Sequence, residues 1–89
     1  MADWQKITQL AENAKKEMIL DFQEGQIFFE QLLNQYEADG MIFFKRAEAW
    51  EALGEFENAL ADFRKAKALF PMAPWKAKAE EGIERTEFI

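Results

Sequence analysis

A glycine, an apolar stripe at helical spacing and a proline bracket the segment Gly54–Pro71, and this run constrains the fold more than any other part of the chain. Between the two breakers, Phe56, Ala59, Leu60, Phe63, Ala66 and Phe70 recur at three- and four-residue intervals, which places them on one face of a helix. Glycine reaches backbone conformations that other residues resist, and proline cannot continue a helix. The spacing therefore predicts a helix over residues 56–70, entered through a glycine turn and closed at Pro71.

The remainder of the chain is helical by the same reasoning. There is no valine, and no stretch alternates apolar and polar residues as a strand would. A first helix is expected from an Asp3 cap through Leu20, with Trp4, Ile7, Ala11, Ala14 and Met18 at heptad-like a and d positions. A second is expected over about 22–37. Asp39-Gly40 interrupts the chain, and Asp39 suits the cap of a third helix over 41–53. Pro74 fits the first turn of a fifth helix that runs to about Thr86. Between the first two helices the segment Ile19–Gly25 holds no proline and only a late glycine. A hairpin turning near Leu20-Asp21 and one continuous helix from Trp4 to Glu37 both fit, and the hairpin is preferred because the apolar pattern repeated 34 residues later requires a turn there. A continuous helix would carry a long apolar stripe for a second copy of the chain to cover.

The Gly40–Ala73 segment resembles a tetratricopeptide repeat, a helix-turn-helix unit of about 34 residues that stacks into arrays. Two registers fit. Trp50-x-x-Leu53-Gly54 matches the opening of the repeat signature literally, but that register buries Pro71 inside a helix at a cost of about 3 kcal/mol. Starting the unit at Gly40 puts Phe43 and Trp50 at the aromatic positions of the first helix, with the small Ala47 between them. Gly54 and Phe56 then form the turn, Ala59, Phe63 and Ala66 the packing face of the second helix, and Pro71 the exit. Arg46 stands where the family usually has leucine. The Gly40 register is preferred, because its breakers sit where backbone geometry needs them.

Moving one unit back takes Phe56, Ala59, Phe63 and Ala66 to Phe22, Gly25, Phe29 and Leu32, all small or apolar. Residues 22–39 thus read as the second helix of an earlier, degenerate repeat. Its first helix fits poorly, since Phe43, Ala47 and Trp50 map onto Gln9, Asn13 and Lys16, so that helix must be rotated or packed differently. Residues 74–89 resemble a terminal capping helix, with Ala77, Ala79 and Ile83 facing inward and Lys76, Glu80, Glu84 and Glu87 in water. The expected fold class is all-α: one domain of two repeat-like helix pairs, 1–39 and 40–73, plus the cap 74–89.

Composition limits the chemistry. The chain lacks histidine, serine and cysteine, which removes the commonest nucleophiles and general base and most zinc ligands. No calcium-loop spacing and no glycine-rich phosphate cradle is present, so no enzyme, metal or cofactor is expected. The absence of cysteine suits a reducing cytoplasm, and the start Met1-Ala-Asp3-Trp4-Gln5 lacks the basic and apolar runs of a secretory signal. No segment approaches the roughly 20 apolar residues of a membrane span. Net charge is −6, with eight acids against three bases in residues 1–39 and five of each in 40–73. Nucleic acid and anionic lipid bind through basic patches, so neither is an expected partner. The acid is either ordinary solvation or a field that steers a basic partner.

The family resemblance implies a concave groove that binds another protein. Carried onto this chain, its groove positions are Met41, Phe44, Glu48 and Glu51 on the third helix and Trp75, Lys78, Gly82 and Arg85 on the fifth, beside Lys45. Met41, Phe44 and Trp75 are expected to stay wet in a monomer unless the first helix folds across them or Trp75 packs on Phe70. The basic clamp by which some family members hold acidic chaperone tails is missing, because Leu10, Ala14, Phe44 and Glu48 occupy its positions and Lys45 alone matches. An apolar groove flanked by Glu48 and Glu51 instead suits an amphipathic helix with basic flanks. The alternative is self-assembly, two copies pairing as a homodimer through Trp4, Ile7, Ala11 and Met18 on the first helix.

Overall fold

The computed structural model describes residues 3–36 and 39–88. They form α1 (Trp4–Leu20), α2 (Phe22–Gln35), α3 (Gly40–Ala52), α4 (Phe56–Leu69) and α5 (Ala73–Glu87), with no strand among the described residues. The fold is all-α, and each helix lies within one or two residues of its expected bounds. The expected extension of α2 to Glu37 lies outside the described residues.

A hairpin, not a continuous helix, joins α1 to α2, and a single residue makes the break. Asp21 is extended, with φ −140° and ψ 102°. Its backbone N–H donates to the Glu17 carbonyl at 2.7 Å and closes α1, while its Oδ1 accepts from the Glu24 N–H at 3.2 Å and opens α2. One aspartate thus satisfies orphaned groups of two helix ends, so the turn needs no glycine. Asp3 and Asp39 cap α1 and α3 in the same way, accepting from Gln5 and Lys6 and from Met41. The α3–α4 turn works differently. Glu55 N–H reaches back to the Trp50 carbonyl at 2.9 Å and Gly54 N–H to that of Glu51 at 3.1 Å, a Schellman motif. It requires Gly54 at φ +79°, where a side chain would be strained.

α1 packs on α2, and α4 packs between α3 and α5, as antiparallel neighbours, α2 scarcely touches α3, and α1, α3 and α5 run parallel. Lys15 of α1 meets Glu48 of α3, and Glu51 of α3 meets Arg85 of α5, at sequence separations of 33 and 34 residues. The Cα positions fill a slab 35 × 31 × 16 Å, thin enough for two layers of helices. Within it α3 serves two cores. Met41, Phe44 and Ala47 join Ala59, Phe63, Ala66, Phe70, Ala79 and Ile83, while Ile42 and Ala49 join Ile7, Ala11, Ala14, Met18, Phe29 and Leu32.

Small residues hold the pairs together. A Cβ on Gly25 would run into the backbone of Met18, and one on Gly82 would fall 2.6 Å from the Phe63 ring. The position that echoes Ala59 one unit earlier is thus glycine because α1 and α2 touch backbone to backbone. The polar Gln9, Asn13 and Lys16 are all exposed, and α1 buries Ile7, Ala11, Ala14 and Met18 instead, as a rotated helix must. On α5, Ala79 and Ile83 are buried as expected, but Ala77 is exposed, and the buried Gly82 and Thr86 complete the inner face. The Thr86 hydroxyl is satisfied by donating to the Gly82 carbonyl at 2.8 Å.

Candidate functional site

The apolar face expected to stay open is closed. Met41 is 0% and Phe44 6% exposed. Trp75 is half-buried, tilted against Phe70 at 5.6 Å between ring centroids and edge-on to Phe44 at 5.8 Å. Trp4, at the start of α1, lies 6.3 Å from both Phe70 and Trp75 and covers their outer edge. The start of the first helix therefore does close over Trp75, and Trp75 does pack on Phe70. The physical reason is area: each aromatic ring taken out of water stabilises the monomer, and the edge and tilted contacts add to that.

The charged groove residues are also occupied. Lys45 and Glu48 form an alternating square with Glu12 and Lys15, with ion pairs of 2.9 to 3.5 Å. Burial alone would raise the Glu12 carboxyl, but its contact with Lys15 and the charges of Lys45 and Lys15 outweigh that and hold it below the usual carboxylate range. Glu51 accepts two bonds from Arg85, at 2.9 and 3.0 Å, which raise the guanidinium further. Lys78 stands over the Trp75 ring, 5.8 Å from its centroid, and Gly82 is buried against Phe63. Between α3 and α5 a cleft of about 280 Å³ remains, lined by Lys45, Glu48, Lys78, Glu81 and Arg85 around the edges of Phe44 and Trp75. Acids and bases there neutralise one another, so Glu48 and Glu51 are not the acidic flanks expected for a basic partner.

The stripe expected to pair two copies is likewise used internally. Ile7, Ala11 and Met18 are all buried between α1 and its neighbours α2 and α3, and Trp4 belongs to the aromatic cluster.

An open apolar groove lies on the other side of α1. Leu10, Asn13, Ala14 and Glu17 of α1 face Phe28, Gln31, Leu32 and Gln35 of α2 across a groove of about 400 Å³. Each helix contributes positions i, i+3, i+4 and i+7, apolar at i and i+4 and polar at i+3 and i+7. The floor is Ala14 and Leu32, both buried, and the wall is Phe28, 38% exposed. Three side-chain amides and one carboxylate form the rim, with no cation among them. Ile27 and Leu20 are further exposed apolar groups on these two helices. The signal for this groove is the run Ile27-Phe28-Phe29. One helix face can bury only part of it, and Phe29 takes the core while Phe28 is left outside.

Among the described residues no acidic, histidine or cysteine side chains converge as a metal-binding group, and no helix is long and apolar enough to cross a membrane. Comparison of the chain with protein-family models, with curated proteins and with solved structures gives no match.

Proposed function

We propose that this chain is a non-catalytic protein-binding module of tetratricopeptide-like architecture, which seats a helical segment of another protein in the groove between α1 and α2. The repeat reading is supported by parallel contacts at separations of 33 and 34 residues, and by small residues at Gly25, Ala59 and Ala66 where helices touch. The binding reading rests on one observation: Phe28, Leu10 and Leu32 line a concave apolar slot that nothing within the described residues fills. A helix satisfies its own backbone and can lay an apolar stripe against the apolar i and i+4 positions of both walls. A chain without cysteine is consistent with residence in the cytoplasm.

Selection of a displayed random-peptide library against the protein, with the Phe28→Glu variant as counter-target, tests this. Phe28 is exposed enough for the variant to fold, which circular dichroism verifies. Enriched peptides should share apolar residues at helical spacing and lose binding to the variant. Enrichment that ignores Phe28→Glu, or none at all, refutes the docking reading.

A further inference from the structure

The charges around the α1–α2 groove are placed unevenly along its length. Because the two helices are antiparallel, the last turn of α1 and the first turn of α2 meet at the Asp21 end. Glu17 lines the groove there, Asp21 forms the turn, and Glu24 lies one helical turn before Phe28 on the same face of α2. No basic residue occupies the last turn of α1, so the negative end of its dipole is unanswered as well. The opposite end carries Lys6, one turn before Leu10.

We propose, building on the docking reading above, that the groove takes an amphipathic helix whose basic residues are gathered at one end and lie over Glu17, Asp21 and Glu24. Its apolar stripe fills the slot between Phe28 and Leu10, and its cations set which way round it binds. A second copy of the chain is a poorer occupant, because two concave grooves facing each other leave their floors empty.

The test uses two synthetic peptides with the same leucine stripe, one with lysines confined to one end and the other with glutamates in their place. Binding to the full chain is read by fluorescence anisotropy at low and high salt. The cationic peptide should bind about three- to tenfold more tightly at low salt, the scale of a few exposed charge pairs. That advantage should vanish at high salt and in the Glu17→Gln/Glu24→Gln variant, while Phe28→Ala weakens both peptides. Equal binding of the two peptides, with both still sensitive to Phe28→Ala, would sink the charge inference and leave the docking reading standing. Binding of neither, or binding untouched by Phe28→Ala, would overturn both. So would a dimer in light scattering that Phe28→Ala dissociates, since the groove would then hold a second copy.

Discussion

Arg46 grips Asp62 in a bidentate fork, Nε 2.7 Å from Oδ2 and Nη2 2.9 Å from Oδ1. Asp62 is almost fully buried in α4, and Arg46 also lies over the Phe43 ring at 5.4 Å from its centroid. Arg46, at the position where the repeat resemblance expects leucine, is thus a polar lock between α3 and α4. Arg46→Leu strands the Asp62 carboxylate and is expected to cost about 2–4 kcal/mol, less than a fully enclosed pair because the guanidinium is partly wet. Replacing both partners, as Arg46→Leu/Asp62→Leu, should recover more than half of the loss. Urea unfolding of the single and double variants measures both. Arg85→Ala, at the more exposed pair with Glu51, should cost under about 1 kcal/mol in the same assay.

Two glycines are required for different reasons, and alanine separates them. At Gly25 the added methyl meets the Met18 backbone, which cannot swing aside, so α1 and α2 must move apart. Gly25→Ala is expected to cost about 3 kcal/mol or more, at the upper end for overpacking. At Gly54 the space is open and only the positive φ resists, so Gly54→Ala should cost about 1–2 kcal/mol. Thermal unfolding that ranks the two in the reverse order would refute the backbone contact between α1 and α2.

Trp75 ties α5 to α3 and, through Trp4, to the start of α1. Trp75→Ala removes contacts to Phe44, Phe70 and Trp4 together and should destabilise by about 2–4 kcal/mol, somewhat below a fully buried tryptophan. The same substitution should leave peptide binding at the α1–α2 groove unchanged in native buffer. Loss of binding in a variant shown to be folded would return the binding site to the α3–α5 side.

Acid should weaken the square of Glu12, Lys15, Glu48 and Lys45. The Glu12 carboxyl is held below its usual value in the folded protein, so its contribution is complete above the unfolded carboxyl's range and disappears as pH falls through the lower folded value. Lys15 is shifted upward, so its share persists through neutral pH and is lost only in strong base. The urea midpoint of the native protein should exceed that of Glu12→Gln at neutral pH, and the gap should close in acid below about pH 4. A gap independent of pH would mean that Glu12 acts through packing and not through its charge.

Helical class, most helix ends and the inner face of α4 are legible along the chain because their causes are local. Aspartates before apolar runs, Gly54, Pro71 and Pro74 act over one or two turns, and the periodicity of Phe56–Phe70 needs no partner to be recognised. The turn at Asp21 was harder to see, since one side chain capping two helices leaves neither glycine nor proline as a mark. The site was misplaced for a related reason. Met41, Phe44 and Trp75 occupy positions that the family resemblance assigns to an open groove, and their openness depends on what α1 covers. The hydrophobic spacing of α1 did identify its buried stripe, Ile7, Ala11, Ala14 and Met18, but not which neighbours would bury it.

The amino-acid order by itself determined that this chain is helical, where its helices start and stop except at Asp21, and that its acid is concentrated before Gly40. Those properties follow from backbone chemistry and side-chain spacing within a turn or two. Only the tertiary structure decided which apolar face stays outside. The rotation of α1 brings Trp4 onto Trp75, Glu12 and Lys15 onto Lys45 and Glu48, and leaves Leu10 and Phe28 lining the open groove. A helix with apolar groups on several sides can turn any of them inward, and the choice is made by the neighbour that buries the most area at the closest approach, here across Gly25.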